Sequence, residues 1–432
     1  MRDFLSELEK EGELINIVKP VSTKFEAAAI MKKLDGRPVL FHKIKECEGF
    51  KLAANICGNR RILAKALGVS EDDILRKLND AIENPSKGEI VEDAPCQQVI
   101  DRNPDLRKFP FLLFGQYDGG PYTTASIIIA HDKEYGFNAS FHRLMLIDKN
   151  RVVARILPRH LDEFIRRGNR NVAITFGNHP AFMIAAAVTW KIGVSELDIA
   201  NSLRKMRYTK CVTNDLLVPA DCEVVMEGVV TDEWADEGPI IDITGTYDVV
   251  RKQRVIEIEC VTMRRDPIFQ AVLLAGSEHK ILMGTPREVA IYKEVGKVCE
   301  CLDVRLTPGG CKWFNAVVKI RKRHADDGKK AIEAAFKGHG SLKHVLVVDE
   351  DINIDDPAEL EWVLATRVQM DKCLVLKPNE YGSSLDPSAD QYTRKTCKAG
   401  IDATLPLDAD PKLFKKAKIP GEESIKIEDY IK

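Results

Sequence analysis

The sequence predicts an α/β protein of the mixed α+β kind, arranged in three parts, on three observations. Residues 1–104 mix helix and strand signals, residues 105–280 carry a run of strand-like segments with few helices, and residues 281–405 alternate helix with strand. A chain of 432 residues is too long for one ordinary core, and it has enough interior to enclose a water-poor cavity.

In the first part Phe4, Leu5 and Leu8 fall on one helical stripe, and Pro38-Val39-Leu40-Phe41 reads as a short strand. Ser70 reads as a helix N-cap. Glu71, Asp72 and Asp73 then suit the positive end of the helix dipole, and Ile74, Leu75 and Leu78 supply a buried face. Asn103 to Pro110 has the composition of a linker.

In the second part Thr124 to Ala130, Arg151 to Ile156, Val172 to Phe176, Cys222 to Val230 and Val255 to Thr262 have strand composition, with turn residues between them. This predicts an antiparallel or mixed barrel. Two helices interrupt it, Leu161 to Arg167, stopped by Gly168, and the Ala-rich Pro180 to Val188. After Pro286 come helices at Arg287 to Cys299, Gly328 to Phe336 and Pro357 to Arg367. Strands at Val304 to Leu306, Val317 to Ile320, Val345 to Val348 and Leu374 to Leu376 alternate with them as in a βαβ domain. The Lys-rich tail, residues 406–432, reads equally as a docking helix or a loose end.

Composition excludes several classes. The 64 basic and 66 acidic residues nearly cancel, so there is no strong positive field for nucleic acid, and Lys319-Ile320-Arg321-Lys322-Arg323 reads as a solvated strand end. Eleven scattered cysteines with no paired CxxC spacing fit reduced thiols of a cytoplasmic protein. The start lacks the apolar core of a signal peptide, and the best apolar run, Ala181 to Trp190, is too short to span a membrane. No dinucleotide or phosphate-loop glycine motif, nucleophile elbow or zincin helix is present.

The stretch Asp236-Glu237-Gly238-Pro239-Ile240-Ile241-Asp242-Ile243-Thr244-Gly245 sets two carboxylates around a Gly-Pro turn. Asp242 lies between two isoleucines, where loss of hydration favours the neutral acid and so a proton donor; from this fragment alone, a strand with one solvent-facing acid is the better reading. Arg143, flanked by Leu144, Met145 and Leu146, needs a carboxylate partner if buried, and Glu237 and Asp242 could supply one. Asn138, His160 and Glu196 offer oxygen and nitrogen donors suited to Mn²⁺ or Mg²⁺, although no spacing rule links them.

Taken together these residues resemble the UbiD family of prenylated-FMN-dependent decarboxylases. The likeness runs from Met1-Arg2-Asp3-Phe4-Leu5 and Glu11-Gly12-Glu13-Leu14 through Gly119-Gly120 to Lys210-Cys211-Val212-Thr213-Asn214-Asp215 and Val218-Pro219-Ala220. The family's N-x-x-x-x-R motif reads here as Asn138 and Arg143, its P-x-H motif as Leu157-Pro158-Arg159-His160-Leu161, and its V-S-E motif as Val194-Ser195-Glu196. Its E-G-P-x-G-E sequence appears as Glu237 to Asp242, with Ile241 for the usual Gly and Asp242 for a frequent Glu.

The resemblance implies a central split β-barrel that binds prenylated FMN and a C-terminal α/β oligomerisation domain. It also implies that Asn138, His160 and Glu196 hold Mn²⁺ or Mg²⁺, which clamps the flavin phosphate, with Lys337 near that phosphate and Arg143 also at the cofactor. Asp242 becomes the proton donor, Glu237 the anionic partner of Arg143, and Arg143 the group that holds the substrate carboxylate. Arg367 resembles a position near a site for K⁺, or is a helix-surface arginine. The implied activity is non-oxidative decarboxylation of an α,β-unsaturated acid, within a compact archaeal-looking branch that acts on trans-anhydromevalonate 5-phosphate and releases isopentenyl phosphate and CO₂. Alternatives are an aromatic or polyprenyl-hydroxybenzoate acid as substrate, a non-catalytic flavin-binding module, and a Mn²⁺ hydrolase. The implied partners are a UbiX-like flavin prenyltransferase and further copies of the chain in a dimer or hexamer.

Overall fold

The computed structural model describes residues 1–431. At its centre a nine-stranded sheet is built around the long antiparallel pair Val224–Glu237 and Arg251–Met263, with Glu237 opposite Arg251 at its end. From Arg251–Met263 the ladder continues through Arg151–Ala154, Leu144–Leu146 and Tyr122–Thr123; from Val224–Glu237 it continues through Asn171–Phe176, Ile127–Asp132 and Gly136–Phe141. The two outermost strands do not pair with each other. The sheet is therefore open, and no closed barrel forms among the described residues.

Both faces of this sheet are covered by apolar side chains, which explains why its strands read as continuous apolar runs. Ile127, Ile129, Ala173 and Val225 pack into one core, while the intervening Ile128, Ala130, Val172, Ile174 and Val224 pack into a second.

Two strands cross the boundary expected near residue 104. Val99–Asp101 joins the central sheet against Arg251–Met263, and Ile268–Ala271 pairs parallel with Lys51–Ala54 in the four-stranded N-terminal sheet. At the C-terminal side a five-stranded sheet runs in the order Glu300–Leu306, Asn315–Arg321, His344–Val348, Lys395–Asp402, Leu374–Tyr381. Only its three inner strands are mutually parallel, so it is a mixed sheet with an antiparallel strand at each edge.

Several local expectations shift. The helix expected from Arg287 begins nearly three turns earlier, spanning Ser277–Gly296 straight through Pro286. Proline removes one hydrogen bond there, but Ile281, Leu282, Val289, Ile291 and Val295 anchor the helix in the core on either side. Ser70 precedes a short 3₁₀ turn, Glu71–Asp73, and its hydroxyl donates to Asp73 Oδ2 at 2.7 Å instead of capping a backbone N–H. The strands Gly136–Phe141 and Lys395–Asp402 were not foreseen. All eleven cysteines are free thiols. No helix among the described residues is long and apolar enough to cross a membrane.

Candidate active site

The acid-rich stretch opens on a strand end. Glu237 is the last residue of Val224–Glu237, fully buried, and Gly238-Pro239, joined by a cis peptide bond, turns the chain into the two-residue strand Ile240–Ile241. The turn lies against Gly119, whose N–H donates to Pro239 O at 2.8 Å; a Cβ at Gly119 would come within 2.1 Å of Gly238 O. Tyr122 locks the other side, with its hydroxyl donating to Glu237 Oε1 at 3.1 Å and accepting from Gly238 N at 2.9 Å.

Asp242 does not lie within a strand. It opens the turn Asp242 to Gly245, closed by Gly245 N to Asp242 O at 2.8 Å, and Gly245 has φ +78°. Ile240 and Ile241 then pair with Asp248 and Tyr247, which brings a third acid to the site. Asp242 is not stranded among isoleucines either: its side chain is 16 % exposed, and its oxygens accept from Arg143 Nη1 at 2.7 Å and Ile243 N at 2.6 Å.

Arg143 joins all three acids. Nε and Nη2 donate to the two oxygens of Glu237 at 2.8 and 3.0 Å, Nη1 to Asp242, and Nη2 again to Asp248 at 2.8 Å. Burial opposes the charge, but these carboxylates hold the guanidinium firmly protonated. Asp248 is also buried, yet hydrogen bonds from Arg251 and Arg143 keep its carboxyl below the usual range. A guanidinium has five N–H groups, four of which are engaged here. One N–H on Nη1 is left for an incoming ligand.

Arg143, Asp242 and Asp248 face a cavity of about 310 Å³, a size suited to a small organic ligand, and Asn138, His160 and Glu196 line the same cavity. Asn138 comes from the strand Gly136–Phe141, His160 from the first turn of the helix His160–Arg166, and Glu196 from the first turn of Glu196–Leu203, which Ser195 caps by accepting from Leu197 N. Asn138 Nδ2 donates to Glu196 Oε2 at 3.1 Å, as does Ala139 N at 2.9 Å. Burial nevertheless pushes the Glu196 carboxyl up to about 8. Burial also lowers His160, helped by Arg159, so its imidazole is neutral.

The sequence passed over several residues of this wall. His279 accepts from Ala275 N through Nδ1, which leaves the ring proton on Nε2, and it shares the cavity with Asp242. His142 bridges Ser140 Oγ and Arg155 O, and burial lowers it to about 4. Arg155, Arg159 and Arg287 line the cavity with no carboxylate at ion-pair distance among the described residues. Asp248 had one readable signal, the Thr244-Gly245 turn that folds it back beside Asp242. Two expected residues are not brought here. Lys337 is on the outer face of the helix Asp327–Gly338, 73 % exposed and paired with Glu294 at 3.1 Å. Arg367 is neither on a surface nor in the cavity; its side chain is 1 % exposed and pairs with Asp349 and Asp351.

Comparison with known proteins matches three family models in succession: the 3-octaprenyl-4-hydroxybenzoate carboxy-lyase N-terminal domain over residues 5–82, its Rift-related domain over 89–277 and its C-terminal domain over 280–403. The anhydromevalonate phosphate decarboxylase of Methanosarcina mazei is 42 % identical, across 98 % of this chain and 99 % of that protein. The enzyme of the same name from Methanocaldococcus jannaschii is 40 % identical, across 95 % and 100 %. The chain belongs to the UbiD family. Among solved UbiD-class structures, HmfF from Pelotomaculum thermopropionicum in complex with FMN superposes with a TM-score of 0.96 at 37 % identity, covering 100 % of this chain and 99 % of that one.

The donor set of this UbiD-family chain suits a divalent ion. Glu196 is a carboxylate buried without a cation, Asn138 Oδ1 accepts only a long 3.3 Å bond from Ser140, and the neutral imidazole of His160 has a lone pair to give. No cluster of three His, Cys, Asp or Glu side chains is placed for a metal among the described residues, consistent with a set whose third member is an asparagine.

Proposed function

We propose that this protein decarboxylates trans-anhydromevalonate 5-phosphate to isopentenyl phosphate and CO₂, using prenylated FMN. The observation that carries the reading is Arg143 tied to Glu237 and Asp242 on the wall of the same cavity that gathers Asn138, His160 and Glu196. The near full-length likeness to archaeal anhydromevalonate phosphate decarboxylases supports this choice of acid over an aromatic one.

Prenylated FMN, when bound, supplies an electron-accepting centre to an α,β-unsaturated acid, which makes loss of its carboxylate feasible. Asn138, His160 and Glu196 would hold Mn²⁺ or Mg²⁺ as a clamp for the flavin phosphate. Arg143 offers its remaining N–H to the substrate carboxylate, while Glu237 and Asp248 fix the plane of the guanidinium. Asp242 delivers the proton that replaces CO₂ on carbon. With cofactor and substrate filling the cavity, little room for water would remain, which favours loss of a charged group.

The supporting partners are a UbiX-like flavin prenyltransferase as cofactor supplier and other copies of this chain, in a cytoplasmic homo-oligomer. The deciding experiment is co-expression with a flavin prenyltransferase, followed by assay of trans-anhydromevalonate 5-phosphate and of hydroxybenzoate acids. Release of isopentenyl phosphate is expected. Turnover of the aromatic acids alone would overturn the reading, and a protein that takes up no flavin would overturn the whole assignment.

A further inference from the structure

Almost every buried arginine in this protein is answered by carboxylates. Arg143 meets three, Arg305 meets Asp303 and Asp355, and Arg367 meets Asp349 and Asp351. On the cavity wall Arg155, Arg159 and Arg287 lack such a partner, and the last two come together at its more open side. Arg159 Nη1 donates to Thr189 Oγ1 at 3.4 Å and Arg287 Nη2 donates to the same oxygen at 3.0 Å, so two guanidinium groups converge on one hydroxyl. No carboxylate pairs with either among the described residues, and Arg287 is held over the Trp313 ring at 5.6 Å.

Two like charges brought onto one hydroxyl repel each other. Such a pair is relieved by an anion of matching charge. Because Thr189 Oγ1 already accepts twice, its own O–H remains to be donated, so the three groups present a convergent set of donors. A phosphate monoester dianion fits two guanidinium forks and one hydroxyl better than a single carboxylate does.

The cavity has three anionic groups to accommodate if the proposed function holds, on which this inference rests. The flavin phosphate falls to the Asn138, His160 and Glu196 set through its cation, and the substrate carboxylate falls to Arg143. What remains is the phosphate at the far end of the substrate. We propose that Arg159 and Arg287, with the Thr189 hydroxyl between them, clamp that phosphate and so select a phosphorylated acid.

Arg287→Gln is the primary test, since Arg159 adjoins the proposed metal ligand His160. In the flavin-loaded enzyme KM for trans-anhydromevalonate 5-phosphate should rise roughly 10- to 100-fold, as expected for losing charge-assisted hydrogen bonds. Arg287→Lys should recover part of the loss, and the ratio of flavin absorbance to protein should match the parent. Calorimetric titration gives a readout independent of turnover. Isopentenyl phosphate and inorganic phosphate should bind the parent more tightly than Arg287→Gln or Arg159→Gln, while isopentenol should not distinguish them. Variants that lose flavin but keep their affinity for isopentenyl phosphate would assign the clamp to the cofactor and overturn the proposal, as would unchanged KM and titrations. If the parent released no CO₂ from the phosphorylated acid, the proposed function would fail, while the titrations would still decide the clamp.

Discussion

Arg143 donates to Asp242 Oδ2 at 2.7 Å through Nη1, the same nitrogen that carries its one unengaged N–H. The group that would hold the substrate carboxylate is thus directly bonded to the group that would protonate the product. This contact places the short side chain of Asp242 at the reacting end of the cavity, where a family member with Glu would have an extra methylene.

Asp242→Asn should therefore abolish most turnover without emptying the site. Asparagine keeps one of the two acceptor oxygens that Asp242 presents to Arg143 and Ile243 N, and its amide is no acid, so the rate should fall about 10²- to 10⁴-fold. Isopentenyl phosphate release in single-turnover and steady-state assays measures the loss, and the flavin spectrum reports the cofactor. A variant that works at the parent rate would remove Asp242 from the proton transfer.

Asp248 lines the cavity, but Arg143 Nη2 and Arg251 both donate to its carboxylate, so its expected role is to position the guanidinium. Asp248→Asn weakens one of four bonds to the guanidinium and leaves Arg251 without its carboxylate partner. A fall of about tenfold in kcat/KM is expected, in line with one hydrogen bond to a charged group. It should appear mainly as a weaker hold on the substrate carboxylate, with a raised KM. A loss as deep as that of Asp242→Asn would mean that Asp248 shares the proton chemistry.

These two acids mark where the sequence was legible. Motif residues close in sequence, Asn138 with Arg143 and Glu237 with Asp242, could be read because each pair sits a few residues apart, and the structure brings them to one site. Asp248 was not read because its place depends on a hairpin, Ile240 against Asp248, whose turn is a local matter but whose pairing is not. Arg287 was hidden for another reason: Pro286 suggested a helix start, whereas the helix runs through it and carries His279 and Arg287 to the same wall. Sequence spacing puts Lys337 at the right distance along the chain but does not reveal which face of its helix meets the cavity. The strand-rich centre was legible because both faces are apolar; the strands that cross near residue 104 were not, since pairing partners far apart in sequence leave no local trace.

Glu196→Gln tests the metal clamp. The change keeps an oxygen donor but removes the one negative charge among the three proposed ligands. Manganese retained after dialysis, measured by elemental analysis, should drop by more than the roughly 10- to 100-fold typical of losing an outer partner of a metal ligand. Flavin retention should fall with it, because the phosphate would lose its clamp. Parent-like manganese and flavin contents would refute the ligand assignment.

Glu278 provides a pH test outside the reaction. It is fully buried at the start of the helix Ser277–Gly296, its Oε1 accepts from Cys57 N at 2.8 Å, and burial pushes its carboxyl from 4.5 up to about 8. Between those values the folded protein keeps a proton that the unfolded chain releases. The folded state then binds more protons, so this group's stabilisation is full below the unfolded value and is lost as pH rises toward the folded one. The slope is at most about 1.4 kcal/mol per pH unit. Glu278→Gln retains an acceptor for Cys57 N but cannot titrate, so the variant should gain on the parent steadily as pH is raised from about 5 to about 8. Urea midpoints of parent and variant across that range measure the gain. A difference that stays constant with pH would show that Glu278 is already ionised in the folded protein.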